Sequence, residues 1–220
     1  VQIVENECSD NIAPVNLPLD IAYEDDDIIV INKPFDMPAH PSAGNHDNTL
    51  ANALMYYYGS QNKPFVYRCI NRLDRDTTGL TIVAKHALAG GILGNAVAKR
   101  AIHRTYYAVC SGCTPACMRI SAPIARKDAS TIERCVDFKR GENAVTDFIR
   151  IKYNPDNNLS LVKLRLLTGR THQIRVHMKY IGFPLIGDFL YNPDYTYISR
   201  QALHSGRLVF THPVTGQKMN

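Results

Sequence analysis

The alternation of apolar and polar residues along the chain predicts a series of short strands. Residues 28–32 and 80–84 are apolar, β-branched runs with the length of buried strands. Residues 105–110 predict another strand, and residues 159–167 alternate apolar and polar side chains as a half-buried strand does. Residues 119–153 are typical of short strands around charged turns, which favours antiparallel pairing.

Helices are predicted between these strands. Thr49 can cap a helix over residues 50–55. Residues 87–102 are rich in Ala, Leu and Val and end in basic residues, which suit the negative end of a helix dipole. Residues 173–180 follow a glycine turn and predict a helix that stops at Gly182. The chain beyond it predicts loops, a short helix and a final strand. The pattern as a whole predicts an α+β fold.

The length of 220 residues suits one large domain, and 45% apolar residues is ordinary for a globular protein. Residues 1–20 are polar and contain prolines, which predicts a lead-in or linker before a domain over residues 21–220. The net charge of +5 fits a nucleic-acid or phosphate partner without requiring one. No apolar run reaches the length of a membrane-spanning helix, so no membrane partner is expected.

The cysteines and histidines are the candidates for metal binding. Cys110, Cys113 and Cys117 resemble half of a zinc site, but no matching pair of ligands follows at a suitable distance. His172 and His177 are five residues apart, which does not place them on one helix face. We therefore expect structural thiols, hydrogen-bonding histidines and no metal.

The most concentrated polar group is Arg72-Leu73-Asp74-Arg75. In an extended segment Arg72 and Asp74 would point to one face and Leu73 to the other. Positive charge from both arginines would keep the aspartate ionised, as a nucleophile or general base requires. The alternative is a surface turn with local ion pairs. A buried ionised aspartate would need a further partner, and Arg175 is a candidate.

Residues 71–80, Asn-Arg-Leu-Asp-Arg-Asp-Thr-Thr-Gly-Leu, resemble the signature His-Arg-Leu-Asp-x-x-Thr-Ser-Gly-Leu of the RluA-type pseudouridine synthases. Other segments are similar to the family in the same order along the chain. They are residues 24–34, His40-Pro41, residues 104–109, Ala122-Pro123-Ile124, residues 169–178 and residues 185–188.

The resemblance implies a pseudouridine synthase fold: a mixed, mainly antiparallel β-sheet with flanking helices and loops around a central cleft. It implies that Asp74 is the catalytic aspartate, Tyr106 the active-site tyrosine, and Arg175 the partner that keeps Asp74 ionised. Arg72 would lie near the place vacated by a flipped nucleotide. The family needs neither a metal nor an organic cofactor, so none is expected.

The resemblance also implies a set of RNA-contacting residues. His172, Gln173 and Ile174 of the longest motif are assigned to substrate binding. The basic residues expected near RNA phosphates are Lys33, Arg75, Lys99, Arg100, Arg104, Arg170 and Lys179. For each of them the alternative is a solvated surface charge, and Lys33 is equally compatible with a surface position before Pro34.

Three positions depart from the family's pattern. Asn71 replaces the usual His and cannot carry charge, so any protonation role at this position is absent. Thr78 replaces the commoner Ser, and Arg104 replaces Lys with the charge kept. Asp74, Tyr106 and the distal arginine are retained, so the catalytic assignment stands.

The partner implied by the resemblance is RNA, and ribosomal RNA is expected rather than transfer RNA. The enzyme is expected to be a monomer that acts in the cytoplasm. Many family members carry an N-terminal S4-type RNA-binding domain, and one is expected upstream of residues 1–20. Two alternatives stay open. One is a catalytically silent RNA-binding module that acts in RNA folding or ribosome assembly, and the other is a metal-dependent hydrolase using His172, His177 and the cysteines.

Overall fold

The computed structural model describes residues 12–42 and 44–220, and the chain divides into two compact units. The first unit comprises Val1–Lys99 and Thr211–Gln217, and the second comprises Arg100–Phe210 and Lys218–Asn220. Residues 1–11 of the expected lead-in lie outside the described residues. Residues 12–20 form neither helix nor strand, but Ile12 is buried against the core of the first unit. The division into a lead-in and one catalytic domain stays a prediction.

The first unit is a small antiparallel sheet with two helices. Its elements are β1 (Ile21–Glu24), β2 (Ile28–Lys33), α1 (Leu50–Gly59), β3 (Arg68–Cys69), β4 (Thr78–Ala84) and α2 (Ala87–Ala98). Strand β2 pairs with β1 and β4, and β3 pairs with the end of β4. The predicted strands at residues 28–32 and 80–84 are confirmed as parts of β2 and β4.

The core of the first unit forms where α1 packs against β2. Ile29, Ile31, Leu50 and Leu54 are completely buried in one cluster. Thr49 caps α1 through a reciprocal capping box with Asn52, as its sequence position predicts. Because the apolar face continues beyond residue 55, the helix runs on to Gly59.

Helix α2 is shorter than predicted. It ends at Ala98 rather than residue 102, because Arg100 adopts a left-handed conformation with φ of 58°. The last turn of the helix therefore contains no basic residue, and the expected charge–dipole contribution is absent.

The second unit contains a mainly antiparallel sheet of six strands, a separate two-stranded hairpin and one helix. Its elements are β5 (His103–Ser111), β6 (Cys117–Ser121), β7 (Ile124–Arg126), β8 (Arg134–Val136), β9 (Val145–Asn154), β10 (Leu159–Leu166), α3 (Gln173–Tyr180), β11 (Leu203–Thr211) and β12 (Lys218–Met219). The strand order is β11-β5-β10-β9-β6, β12 pairs with β11, and β7 and β8 form a separate hairpin. The α+β class and the mainly antiparallel pairing are confirmed, whereas the central cleft stays a prediction.

Helix α3 has the predicted bounds, but the short helix expected after it is wrong. Within the described residues the chain from residue 181 to β11 consists of turns and isolated bridges. Gly182 and Gly187 have φ of 86° and 69°, values that a continuing helix does not allow. The longest helix of the described residues has 12 residues, and none is long and apolar enough to cross a membrane.

His177 of α3 lies in the core of the second unit. The residue is fully buried, with Nδ1 2.9 Å from the Thr146 hydroxyl and Nε2 2.8 Å from the Ala122 carbonyl. Since a carbonyl only accepts, Nε2 carries the proton and Nδ1 accepts from the threonine. Burial lowers the pKa of His177, although the bond to Ala122 opposes the shift. The histidine is therefore neutral and holds α3 against β9.

This burial predicts an acid sensitivity of folding. The unfolded chain protonates this histidine below about pH 6.5, whereas the lowered pKa keeps the folded form neutral. Stability from His177 is therefore complete above that pH and is lost as pH falls toward the folded-state pKa. We expect the free energy of unfolding in urea to fall less between pH 7 and pH 5 in His177→Gln than in the wild type. Replacing the exposed His103 by Gln should leave the wild-type slope unchanged.

Candidate active site

The segment that carries Asp74 is fixed to β4 by Asn71. Asn71 is buried, its side-chain carbonyl accepts a hydrogen bond from the backbone N–H of Ile82 (2.8 Å), and its amide donates to the Leu80 carbonyl (3.2 Å). The Thr81 hydroxyl also donates to the backbone carbonyl of Asn71 (2.7 Å). A neutral amide thus satisfies both sides of this position, which gives a physical reason for Asn in place of the family's usual His.

Residues 72–74 alternate between two faces as the sequence predicts. Leu73 is buried at 7% exposure, Arg72 is exposed and Asp74 is partly exposed. The Asp74 carbonyl accepts from the Thr77 N–H (3.1 Å), which closes a turn directly after the aspartate. The carboxylate of Asp74 is therefore presented from a segment with a fixed backbone.

Arg75 forms local ion pairs, as the alternative of a surface turn expected. Its Nε and Nη2 donate to the Asp76 carboxylate at 3.0–3.2 Å, and Nε lies 3.8 Å from Asp36. The Arg75 side chain remains 46% exposed. The same side chain thus supports the loop beside Asp74 and keeps a surface that a phosphate could approach.

Lys33 is placed differently from the RNA-contacting residue expected. It is 1% exposed, and its ammonium donates to the carbonyls of Pro34 (2.7 Å), Met37 (2.8 Å) and Arg75 (2.8 Å). A buried ammonium must have its donors satisfied, and these carbonyls supply three acceptors. This is not the position of a phosphate-contacting lysine. Lys33 instead joins the loop after β2 to the residue that follows Asp74.

Removing this ammonium should destabilise the first unit. Lys33→Met leaves three buried carbonyls without their donor, and we expect a loss of about 3 kcal/mol in the free energy of unfolding. Urea unfolding followed by circular dichroism measures this change. The matched variant Lys63→Met removes an exposed ammonium and should change stability by less than about 0.5 kcal/mol. Equal effects of the two substitutions would contradict the anchoring role.

Tyr106 and Arg175 belong to the second unit. Tyr106 lies on β5 between Leu164 of β10 and Ser205 of β11, and it is 4% exposed. Arg175 lies on α3 and is 1% exposed. Both side chains are therefore held by regular secondary structure rather than by loops.

Arg175 forms a buried bidentate ion pair with Asp188. Its Nε and Nη2 donate to the two carboxylate oxygens at 2.6 and 2.7 Å, and Asp188 is completely buried. The backbone N–H groups of Leu190 (3.1 Å) and Tyr191 (3.2 Å) also donate to this carboxylate. The guanidinium carbon lies 5.0 Å from the centre of the Tyr191 ring, within cation–π range. One edge and one face of the guanidinium are thereby fixed.

Asp188 is the residue of this site to which the sequence assigned no role. It belongs to the quoted segment 185–188, and a fully buried arginine requires a buried acceptor. The need of a buried arginine for an acceptor could have pointed to Asp188, but the sequence does not show that Arg175 is buried. Tyr191 belongs to the same group, and burial raises its pKa to about 12, so its hydroxyl stays protonated.

The part of the longest motif that opens α3 is mainly structural. The Gln173 side chain is buried, accepts from the Thr168 hydroxyl (2.8 Å) and the Arg170 N–H (2.9 Å), and donates to the Val145 carbonyl (3.0 Å). Ile174 is 3% exposed. Neither residue is placed as the RNA contact expected, because the side chain of Gln173 is satisfied internally and that of Ile174 packs in the interior.

Other residues expected at RNA remain at the surface or partly exposed. His172 has φ of 57°, and its Nδ1 lies 2.9 Å from the Tyr191 hydroxyl. Arg170 pairs with the Glu142 carboxylate and donates to the Asn143 carbonyl (3.1 Å). Arg104 is partly buried, and its Nε has no hydrogen-bond partner among the described residues. The side chains of three further basic residues, Lys99, Arg100 and Lys179, are also exposed.

The residues proposed for a metal-dependent hydrolase do not converge. Within the described residues, the group of potential ligands that comes together is Asp25, Asp27 and His212. It contains neither the two motif histidines nor a cysteine. Its His212 Nε2 donates to Asp25 (2.8 Å), while Nδ1 accepts from backbone N–H groups, so the ring is used by the fold.

Comparison with known proteins identifies the chain. A sequence model described as RNA pseudouridylate synthase matches residues 27–180, a span that contains Asp74, Tyr106 and Arg175. The match covers well over half of the chain. The chain belongs to the RNA pseudouridylate synthase family. It is therefore an enzyme, as the resemblance of its motifs predicts.

Relatives of this pseudouridine synthase cover nearly the whole chain. It is 42% identical over 231 residues to a ribosomal large subunit pseudouridine synthase D of Haemophilus influenzae, covering 99% of this chain and 70% of the relative. It is 38% identical to an uncharacterized RNA pseudouridine synthase, YhcT, of Bacillus subtilis, covering 99% and 72%. Among solved structures it is similar to human RNA pseudouridylate synthase domain containing 1, with a TM-score of 0.77, 26% identity, and coverage of 92% and 82%.

Proposed function

We propose that this pseudouridine synthase isomerises specific uridines in structured RNA, and that its substrate is ribosomal RNA before transfer RNA. The observation that supports the choice is the 42% identity to a relative named as a ribosomal large subunit enzyme. A Vibrio cholerae relative with the same name is 41% identical over 218 residues. The net charge of +5 is consistent with a polyanionic substrate.

The proposed reaction breaks the N1–C1′ bond of uridine, rotates the base, and joins C5 to C1′. Asp74 either attacks C1′ or removes a proton from the ribose, and both routes require an ionised carboxylate. The support from this chain is a partly exposed carboxylate on a backbone anchored by Asn71. A flexible loop would hold the reacting atoms less closely to the geometry that either route needs.

The remaining roles follow from the residue types. Tyr106 is proposed to stack on the detached uracil and assist proton transfer through its hydroxyl. Arg175 is proposed to favour the ionised form of Asp74, and its bond to Asp188 supports this by fixing the orientation of the guanidinium. Arg72, which is exposed, is proposed to fill the gap that a flipped uridine leaves in its stack.

The substrate choice can be tested with unmodified transcripts. The purified protein is incubated with large-subunit ribosomal RNA and with a transfer RNA pool, and a pseudouridine-specific chemical readout locates the product. Mass alone is uninformative, because the isomers have equal mass. We expect faster conversion of the ribosomal RNA, and a preference for transfer RNA would reverse the order. RNA binding with no pseudouridine on either substrate would favour the silent module.

Three further proposals concern the setting of the enzyme. We propose an upstream S4-type RNA-binding domain, a monomeric active form and a cytoplasmic location. The first would add RNA affinity through a tethered second contact. Mass spectrometry of the natural protein, sedimentation of the purified enzyme and fractionation of cells test the three in turn. A natural chain without such a domain, an obligate dimer, or exclusion from the cytoplasm would contradict them.

A further inference from the structure

The β7–β8 hairpin and the loop before α3 line a cavity of about 490 Å³ within the second unit. Four arginines and one glutamate supply the charges on its wall. They are Arg126, Arg134, Arg140, Arg170 and Glu142. Among these, only Arg170 belongs to the RNA-contacting residues implied by the family resemblance. The excess of guanidinium groups gives the cavity a positive field.

Two of these arginines face each other across the hairpin. Arg126 of β7 is the direct cross-strand neighbour of Arg134 of β8. Like charges in directly opposite positions destabilise a strand pair. Among the described residues neither arginine forms an ion pair, although the Arg126 Nη1 donates to the Ala129 carbonyl (3.3 Å). A bound anion would offset this repulsion.

Arg134 adds a second, independent observation. Its Nη1 is buried and has no hydrogen-bond partner in the described part of the chain. A buried donor without an acceptor is costly, and such groups are rare in folded proteins. By contrast, Arg140 is paired with Asp137 (2.7 Å), and Arg170 with Glu142. Among the described arginines of the cavity wall, the buried donor without an acceptor therefore belongs to Arg134, one member of the opposed pair.

We propose that this cavity binds backbone phosphates of the substrate RNA, with Arg126 and Arg134 as the principal contacts. A phosphodiester offers oxygens that suit guanidinium forks and neutralises both charges at once. The inference rests on the proposed function in taking RNA as the ligand. It places an RNA contact on the hairpin, separate from the residues of the Asp74 segment.

The surroundings of the cavity favour RNA over a free phosphate ion. The volume of about 490 Å³ exceeds that of a single phosphate and has room for a nucleotide. The same hairpin region exposes Ile132 and Phe138, at 63% and 68%. Phe138 follows β8 in the chain and precedes Arg140 of the cavity wall by two residues. Exposed aromatic rings and guanidinium groups together suit unpaired bases and the backbone that carries them. A free ion would need no such neighbours.

The test compares the salt dependence of RNA binding. The probe is a fluorescein-labelled RNA stem-loop with unmodified uridines in its loop, bound to protein in the Asp74→Asn background so that no turnover occurs. Affinity is measured between about 50 and 200 mM salt, where the affinity for RNA depends steeply on salt concentration. Arg126→Gln/Arg134→Gln should lower the slope of log affinity against log salt by about 1.4 to 1.8.

The matched control removes two charges elsewhere in the second unit. Lys152→Gln/Lys163→Gln changes two exposed lysines of β9 and β10 and should leave the slope within about 0.3 of the parent value. Arg126→Gln alone should give about half of the effect of the double variant. Equal slopes in parent and Arg126→Gln/Arg134→Gln would overturn the proposal.

Melting temperatures of the parent and the double arginine variant, measured with and without inorganic phosphate, distinguish RNA binding from a structural role and from binding of a free anion. The double arginine variant should melt no lower than the parent, because it relieves the opposed charges. A lower melting temperature together with the reduced slope would assign the arginines to the fold and overturn the proposal. Phosphate stabilisation of the parent with an unchanged RNA slope would assign the cavity to a free anion. Failure of the wild type to form pseudouridine bears only on the proposed function, since these slopes involve no turnover.

Discussion

Asp74→Asn should reduce the rate of pseudouridine formation by about 10³-fold or more, with the affinity for RNA changed by less than about threefold. The substitution keeps the size and hydrogen-bonding shape of the side chain but removes the charge that attack or proton abstraction needs. The surrounding segment should keep its structure, because its anchors are Asn71 and the turn to Thr77. Single-turnover conversion and equilibrium binding of the same RNA measure the two quantities.

Asp36→Asn provides the matched control. Asp36 is 68% exposed and lies 3.8 Å from Arg75, so the same chemical change is made in the neighbouring loop. Its φ of 53° is a conformation that Asn tolerates well. We expect wild-type activity for this variant. If Asp36→Asn and Asp74→Asn lose activity equally, loss of charge near the loop, rather than the chemistry of Asp74, would explain the result.

Asp188→Asn should lower the free energy of unfolding by about 3 kcal/mol, because it leaves the buried Arg175 charge without its carboxylate. The two side chains are 1% and 0% exposed, so solvent cannot replace the lost partner. Activity should fall as well, since one edge of the guanidinium loses its fixed orientation. Urea unfolding in parallel with a rate measurement below the midpoint separates the two effects.

The matched control for this pair is Asp147→Asn. Asp147 accepts two hydrogen bonds from Arg119 across β6 and β9, at 2.6 and 2.8 Å, but the pair lies at the surface. An exposed pair contributes about 1 kcal/mol or less, so the variant should be nearly as stable as the wild type. A cost at Asp188 no larger than that at Asp147 would contradict the account of the buried pair.

The elements with strong local signals were predictable from the sequence. Helix α3 has its predicted bounds because a glycine turn precedes it and Gly182 follows it. The alternation in residues 72–74 placed Leu73 inside and Arg72 outside, since side chains of an extended segment alternate faces. The order of the family motifs along the sequence also identified the catalytic candidates.

Positions set by distant parts of the chain were not predictable. Lys33 was expected either near RNA phosphates or at a surface position before Pro34, and both expectations place it in contact with solvent. Its burial depends on the carbonyl of Arg75, which is 42 positions away. The contact between Lys33 and Arg75 is not encoded in the local pattern. The end of α2 was misplaced for a local reason, because composition favoured a longer helix and did not indicate the left-handed conformation of Arg100.

The central claim is that this chain forms pseudouridine through Asp74, and release of hydrogen from C5 tests it most directly. Because C5 becomes bonded to C1′, its hydrogen must leave as the product forms. The experiment uses large-subunit ribosomal RNA made with tritium at C5 of uridine, incubated with wild type or with Asp74→Asn. The wild type should release tritium while the RNA chain stays intact, and Asp74→Asn should release none above background. No release by the wild type, or equal release by both proteins, would contradict the account.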